Sequence, residues 1–267
     1  MLNRFCFVAI LLASYSASAE PVSAVTPLRP VQIAVVIDDL GNSASHQRFT
    51  ELPGALTLAF LPHTPHAARL AAQAHAHGKE VMVHMPMQPA GGQAAGPGML
   101  STLHNEAELN AELDKALATL PGARGLNNHM GSLLTASSEP MRWLMQALAN
   151  RNLYFLDSRT SAATRAEQMA DEIGLPVARR HVFLDHNPQT EAIAREWAQL
   201  LKLARKNGFA IAIAHPHQST YSFLQAQLPQ LEQQGISLVF VSSLTQKSPL
   251  VSGPSDNLKK LLKPSTP

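Results

Sequence analysis

Apolar runs and amphipathic stretches alternate along most of this chain. The apolar runs are short, rich in Val, Ile, Leu and Phe, and lack a strict alternation of apolar and polar residues. That pattern is typical of parallel strands buried on both faces, whereas the stretches between them have helical spacing. We predict strands at 31–37, 55–61, 79–84, 125–130, 153–157, 180–184, 209–215 and 236–241. We predict helices at 65–78, 106–120, 141–150, 162–173, 191–206 and 221–234.

The alternation of strand and helix predicts one α/β domain over residues 31–243, built on a parallel sheet. This number of strands favours a distorted (β/α) barrel of seven to eight parallel strands, with a doubly wound open sheet as the alternative. In both folds the carboxyl ends of the strands form the face where binding and catalysis belong. A Gly- and Ala-rich stretch at 89–97 is predicted to be a long loop over that face.

The two ends of the chain do not fit this domain. Arg4, a short apolar run and the small residues Ala17-Ser18-Ala19 form the pattern of a secretory signal peptide. We therefore expect residues 1–19 to be cleaved and the protein to be periplasmic or secreted, the alternative being an uncleaved anchor. Residues 20–30 are predicted to be a linker and residues 244–267 a disordered tail. No later apolar run is long enough for a transmembrane segment.

Composition removes several classes of function. The chain has one cysteine, Cys6, and it lies in the predicted signal peptide, so we expect neither disulfides nor thiol chemistry in the mature protein. With 21 Lys and Arg against 19 Asp and Glu, the formal net charge is only +2. This charge produces no strong positive electrostatic field that would attract nucleic acid. The twelve histidines are the unusual feature, because several of them fall where strands should end.

Acidic residues and histidines cluster at the predicted strand ends. The first strand ends in two adjacent carboxylates, Asp38 and Asp39, followed by Gly41. Adjacent carboxylates push their pKa values apart, so one can bind a cation while the other acts as a base. The alternative for such a pair is a helix cap beside a solvated carboxylate. Other strand ends carry His84, Asn127, Asn128, His129, Asp157, Arg159, Asp185, His215 and His217.

A lone histidine in such a fold is more often a satisfied core residue than a ligand. Here, however, the same residue types recur at six strand ends, and one cation with oxygen and nitrogen ligands needs only about three of them. The pattern predicts a divalent metal site, most naturally for zinc. Asp157 and Arg159 are predicted to form either an ion pair that orients the site or a structural bridge. The alternative to a metal site is a structural barrel in which the histidines at the strand ends have no common function.

At these residues the chain resembles a known family. The sequence from Ile37 to Gly41 resembles the Asp-Asp-Gly signature that opens the polysaccharide deacetylase, or NodB-like, domain. Segments 125–132, 156–161 and 213–217 follow in the same order, and the likeness to the divergent branch of the family covers about residues 31–243. The resemblance implies a distorted (β/α) barrel and metal-dependent removal of an acetyl group from an N- or O-acetylated sugar.

The resemblance also implies roles for single residues. Asp39 resembles a metal ligand, Asp38 the general base, His84 the first histidine ligand and His215 the acid that protonates the leaving group. The family's second histidine ligand, however, falls at Gln88.

The Arg-Pro motif of the family's fourth strand is also replaced, here by Asn127-Asn128-His129. If His129 supplies the missing ligand, the metal site is rebuilt; if it does not, metal binding is weak. Gln88, Asn127, Asn128, Asp157, Arg159 and His217 are predicted to support the site or contact the substrate.

Two functions therefore remain open. One is an exported metal-dependent deacetylase acting on peptidoglycan or another acetylated glycan. The other is a catalytically weak or inactive relative that binds glycan, or a protein partner in the envelope, through the same cleft. The loss of the second histidine favours the binding protein, whereas the retained Asp38, Asp39, His84, His129 and His215 favour the enzyme.

Overall fold

The computed structural model describes residues 30–246. The predicted signal peptide, the linker up to residue 29 and the tail from residue 247 lie outside these residues. Among the helices of the described part of the chain, none combines the length and the apolar character needed to cross a membrane.

Within residues 30–246, nine strands form one parallel sheet, and seven α-helices join or flank them. The strands are β1 (Val31–Leu40), β2 (Thr57–Phe60), β3 (Glu80–Met87), β4 (Gly125–Met130), β5 (Tyr154–Asp157), β6 (Val177–Arg179), β7 (Val182–Phe183), β8 (Phe209–Ala214) and β9 (Ile236–Leu238). The helices are α1 (Gln47–Thr50), α2 (Ala67–Ala76), α3 (Glu106–Thr119), α4 (Ser138–Ala149), α5 (Ala166–Ile173), α6 (Thr190–Asn207) and α7 (Gln218–Gln227).

The sheet curls until its two edges meet. The strand order is β6-β5-β4-β3-β2-β1-β8-β7, and β9 pairs with the first residues of β1. The edge strands β6 and β7 are consecutive in the chain, separated by Arg180 and His181. The backbone N–H of Arg180 bonds to Asp157 on one side, and that of His181 bonds to Ile211 on the other. The predicted distorted (β/α) barrel is therefore confirmed, and the open doubly wound sheet is not formed.

Both faces of the sheet are buried, which explains why the strand sequences do not alternate. In β1, Ile33, Val35 and Ile37 belong to one large apolar cluster shared with the helices, whereas Ala34 and Val36 belong to a second, smaller cluster. Successive side chains of a strand point to opposite faces, so each face of β1 contributes to a different core. The smaller cluster fills the inside of the barrel.

A polar network closes the amino-terminal end of the barrel. The carboxylate of Glu80 accepts hydrogen bonds from the hydroxyls of Thr57 (2.9 Å) and Tyr154 (2.8 Å) and from the backbone N–H of Ser242 (3.3 Å). Buried polar groups are tolerated when they are paired in this way. The network ties the last described turn of the chain to the strands, at the end opposite to the Asp and His residues.

Several predicted boundaries are wrong, each for a local reason. Of the strand predicted at 180–184, only β7 (Val182–Phe183) is formed, and the unpredicted β6 (Val177–Arg179) precedes it, because the chain changes partner strand between Arg180 and His181. The helix predicted at 221–234 starts earlier, at Gln218, and ends at Gln227. A short 3-10 turn then contains Pro229, which has no N–H to continue an α-helix.

Gly41 is required by the turn that follows the paired carboxylates. Its φ is +117°, and a Cβ at this position would collide with the Thr64 hydroxyl. Gly41→Ala is expected to lower the free energy of unfolding by about 3 kcal/mol or more, since left-handed strain and overpacking add. The matched control is Gly78→Ala, where φ is +68° and no atom lies within 4 Å. It should cost only about 1–2 kcal/mol in urea titrations, so equal losses would contradict this account.

Candidate active site

Both adjacent carboxylates face the same site because β1 is irregular at its end. The pairing of β1 with β2 shifts register between Ile37 and Leu40, and Asp39 has a φ of +58°. In a regular strand, neighbouring side chains point to opposite faces. A bulge with a left-handed residue turns one of them back. Asp38 and Asp39 consequently both reach His84, from two different directions.

Three side chains converge on one point at the mouth of the barrel. Asp39 Oδ1 lies 3.1 Å from His84 Nε2 and 2.9 Å from His129 Nδ1. The two imidazole nitrogens lie 3.1 Å from each other. Asp39 and His129 lie near the ends of β1 and β4, and His84 lies in the second half of β3. Only β2 separates β1 from β3, so the three residues come from one run of four adjacent strands and meet at the carboxyl face of the sheet.

The three atoms Asp39 Oδ1, His84 Nε2 and His129 Nδ1 form a triangle that fits a divalent cation. Zinc binds nitrogen and carboxylate oxygen at about 2.0–2.2 Å, so ligand atoms about 3 Å apart can all contact one ion. Asp39 Oδ1 is buried and has no hydrogen-bond donor among the described residues. A buried anionic oxygen without a donor, next to two imidazole nitrogens, is the environment that a cation completes. Two nitrogens and one oxygen also leave coordination positions open, as in catalytic zinc sites.

The orientation of His84 is fixed from behind. Its Nδ1 lies 2.7 Å from the side-chain oxygen of Asn127, so Nε2 faces Asp39. Metal-binding histidines commonly donate their other ring N–H in this way. Burial acts to lower the pKa of His84, but the negative charges of Asp38 and Asp39 outweigh it and raise that pKa to about 9. The site thus favours a bound positive charge.

The two carboxylates have different environments. Burial acts to raise the pKa of Asp39, but the close imidazoles of His129 and His84 outweigh it and hold that pKa well below its usual range. Asp38 is more deeply buried, with 2% of its surface exposed. Burial raises the pKa of Asp38 despite the opposing charges of His84 and His215. Paired acids with diverging pKa values are typical of sites where one binds and the other accepts a proton.

His215 faces this cluster from β8 and is held by Asp185. Its Nδ1 lies 2.8 Å from Asp185 Oδ1, and its backbone N–H donates to Oδ2 at 2.6 Å. Thr220 donates to the same Oδ2 at 2.7 Å. Burial acts to lower the pKa of His215, but the hydrogen bond and charge of Asp185 outweigh it and raise that pKa. The arrangement keeps Nδ1 engaged, which leaves Nε2 for other partners.

Two grooves meet at Asp39. One, of about 360 Å³, runs between His129 and the loop at residues 95–97. The other, of about 520 Å³, is lined by His46, Asp185, His186, His215 and His217. An extended ligand can therefore pass over the paired carboxylates, with its two halves in grooves of different chemical character.

Gln88 makes its contacts elsewhere. Its side-chain oxygen accepts hydrogen bonds from the Ser101 hydroxyl (3.1 Å) and from the backbone N–H (2.8 Å) and hydroxyl (2.9 Å) of Thr102. Its backbone oxygen accepts the N–H of Leu133. Gln88 thus fastens two loops to the end of β3. These contacts do not connect it with the cluster of Asp39, His84 and His129.

The predicted Asp157–Arg159 ion pair is not formed among the described residues. Asp157 instead accepts the backbone N–H of Arg159 (2.8 Å) and the Thr164 hydroxyl (2.9 Å), whereas the Arg159 guanidinium lies 3.6 Å from Glu167. Arg159 has a φ of +49°, so the chain turns sharply here and its side chain leaves the site. Asp157 therefore shapes a turn.

Two further predicted residues lie at the periphery. Asn128 donates to the backbone oxygen of Met130 (2.8 Å) and accepts the backbone N–H of Ser158 (2.9 Å), so it joins the ends of β4 and β5. His217 is exposed beside His215 in the larger groove. Within residues 30–246, neither Asn128 nor His217 forms a hydrogen bond with Asp39.

Sequence reasoning missed the contribution of two residues. Asp185 was noted at a strand end, but its pairing with His215 depends on β7 and β8 being neighbours, which the sequence does not show. His46 is not among the residues predicted for the site, yet it lines the larger groove and accepts the backbone N–H of Gly41 at 3.3 Å. The only sequence signal for His46 is its closeness to the paired carboxylates.

Comparison with known proteins gives the family. The model of the divergent polysaccharide deacetylases matches residues 35–245, so the chain belongs to that family. The chain is 38% identical over 220 residues to YibQ of Escherichia coli strain K12, described as uncharacterized, with 82% of this chain and 69% of that protein covered.

Solved structures agree on the fold. An uncharacterized protein of Agrobacterium tumefaciens, ATU2773, matches with a TM-score of 0.78 and 26% identity over 82% of this chain and 91% of that one. The catalytic domain of a peptidoglycan N-acetylglucosamine deacetylase from Eubacterium rectale matches with a TM-score of 0.53 and 13% identity, over 83% and 94%. The latter likeness concerns the fold alone.

The proposed role of His129 as a metal ligand can be tested directly. His129→Ala removes one corner of the triangle and is expected to weaken zinc binding at least about 100-fold in titration calorimetry, because a lost ligand costs more than a lost supporting contact. The control His75→Ala changes an exposed histidine on α2 and should bind zinc like the wild type. Unchanged affinity in His129→Ala would remove this residue from the ligand set.

Proposed function

We propose that the protein is an exported, metal-dependent deacetylase that hydrolyses an acetyl group from an envelope or extracellular glycan. The observation that carries the proposal is the arrangement around Asp39: a three-residue metal site with Asp38 on one side and the Asp185–His215 pair on the other. Membership of the deacetylase family supports the reaction type.

The chain provides a complete set of groups for hydrolysis. A divalent cation, for which this donor set favours zinc, would be held by Asp39, His84 and His129 and would supply Lewis-acid chemistry, lowering the pKa of water and polarising the acetyl carbonyl. Asp38, kept a better proton acceptor by its burial, takes the proton of the attacking water. His215 gives its Nε2 proton to the departing nitrogen or oxygen of the sugar.

The bonds and protons balance in this scheme. The water oxygen bonds to the acetyl carbon, and the bond from that carbon to the sugar nitrogen or oxygen breaks. One proton of the water passes to Asp38, and the other stays on the acetic acid formed, which ionises to acetate in solvent. His215 protonates the leaving nitrogen or oxygen to give the free sugar amine or hydroxyl, and the proton on Asp38 returns to His215 through solvent. Asp185 keeps Nδ1 of His215 engaged, so the proton that moves is the one facing the groove.

The substrate that we propose is a peptidoglycan or another acetylated polysaccharide. The Eubacterium rectale protein is named for action on peptidoglycan N-acetylglucosamine, and the open grooves on both sides of Asp39 suit a chain-like ligand. We propose no role for nucleic acid. Export is supported by the signal-like sequence at residues 1–19.

The second candidate function is binding without catalysis, to a glycan or to a protein partner in the envelope. Gln88 favours it, because the family's usual second histidine is replaced by a residue that fastens loops. His129 opposes it, because its Nδ1 lies close enough to Asp39 and His84 to complete a three-residue metal site.

Asp38→Asn separates catalysis from metal binding. Acetate release from acetylated chito-oligosaccharides or peptidoglycan fragments is expected to fall at least about 100-fold, because proton transfer by a positioned base contributes about 100- to 10,000-fold. Zinc content should remain near one ion per chain. Asp114→Asn, at an exposed acid paired with Arg151, is the control and should keep full activity.

The results of that assay distinguish the two candidate functions. Turnover that survives in Asp38→Asn would show that the base is assigned wrongly. A zinc-loaded wild-type protein that binds the oligosaccharides but releases no acetate would support the binding function instead.

The Asp185–His215 pair predicts a change in pH dependence. His215 acts in its protonated form, and Asp185 raises the pKa of His215. Asp185→Asn should therefore lower that pKa and move the alkaline limb of the kcat/KM profile to lower pH. An alkaline limb that stays in place, or moves to higher pH, would exclude His215 as the acid, with Asp114→Asn again as the control.

A further inference from the structure

Asn127 stands between the proposed base and the proposed metal ligand. It is fully buried in β4 and pairs in register with His84 of β3. Its side-chain oxygen lies 2.7 Å from His84 Nδ1. Its side-chain nitrogen donates to both carboxylate oxygens of Asp38, at 2.8 and 3.0 Å, and lies 3.3 Å from the Ser158 hydroxyl.

These contacts fix which way the amide points. The nitrogen is surrounded by three oxygen atoms, two of them from the Asp38 carboxylate. A flipped amide would place its oxygen against that carboxylate and deprive the buried carboxylate of this donor, which is costly. With the oxygen held toward His84, Nδ1 carries a ring proton, which leaves Nε2 available to bind a cation beside Asp39.

We propose that Asn127 is a positioning residue that couples the two halves of the site. Its oxygen sets the tautomer of His84 so that Nε2 can bind the cation, and its nitrogen holds the Asp38 carboxylate in the orientation needed to accept a proton. The part concerning Asp38 rests on the proposed deacetylase function. The part concerning His84 rests only on metal binding.

These two contacts, with His84 and with Asp38, explain why residue 127 is an asparagine. Among side chains of this size, a primary amide alone offers a fixed acceptor and a donor on neighbouring atoms without charge. Aspartate would accept the proton of His84 but offer no N–H to Asp38. Leucine has nearly the same shape and offers neither. These two substitutions therefore separate the two contacts of Asn127.

The experiment compares Asn127→Leu, Asn127→Asp and the wild type at one fixed pH. Zinc affinity is measured by calorimetry. The parameters kcat and KM for acetate release are measured at saturating zinc. The His84 Nδ1–H proton is observed by NMR of zinc-loaded protein labelled with 15N-histidine. Thr57→Val serves as the control, since it removes a fully buried polar group from the opposite end of the barrel.

Asn127→Leu should lose the slowly exchanging His84 proton, weaken zinc binding about 10- to 100-fold, and lower kcat with KM unchanged. Asn127→Asp should keep the His84 proton and zinc affinity within about threefold, yet still lose kcat. Thr57→Val should lower the melting temperature without changing zinc affinity, kcat or the His84 proton.

The outcomes separate this inference from the proposed function. Zinc affinity and a His84 proton that are unchanged in Asn127→Leu overturn the inference, whatever the activity. An active wild type whose kcat is unaffected in Asn127→Asp overturns the part concerning Asp38. If zinc-loaded wild-type protein releases no acetate, the proposed function fails, and zinc affinity and the His84 proton alone then decide the role of Asn127.

Discussion

The structure of the site depends on holding two neighbouring carboxylates together in a largely buried place. Asp38 and Asp39 repel each other, and burial adds to the cost of ionising both. The protein offsets this with the imidazoles of His84 and His129 and the amide of Asn127, all contributed by the two strands β3 and β4. The excess of negative charge makes the cluster suited to a cation, and it gives the two acids different proton affinities.

The pairing of β1 with β8 brings the second half of the site into place. These strands lie side by side with Ile37 opposite Ala214, so the residues that follow, Asp38 and His215, come to the same end of the sheet. Asp185 follows β7, the other neighbour of β8, and reaches the backbone and ring of His215. The proposed acid and base therefore belong to one site because two strands that are far apart in the sequence are neighbours in the sheet.

Strained backbone at the strand ends gives the site its shape. Asp39, Met130 and Arg159 all have positive φ values, and each follows or ends a strand at the carboxyl face. Such conformations cost energy and persist where the surroundings enforce them, commonly at functional sites. At Asp39 the bend brings a carboxylate into the cluster, whereas at Arg159 it carries a guanidinium away. Sequence alone could not distinguish these two results, since both positions lie just beyond a predicted strand.

The sequence by itself determined the order of strands and helices, the barrel class and the concentration of Asp and His at one face, because burial and periodicity are local properties of the chain. It also pointed to Asp38, Asp39, His84 and His129. Only the tertiary structure decided that Gln88 fastens loops, that Asp157 shapes a turn and that Asp185 holds His215. Those outcomes depend on hydrogen-bond partners distant in the chain and on bends of a few residues, and neither leaves a periodic signal in the sequence.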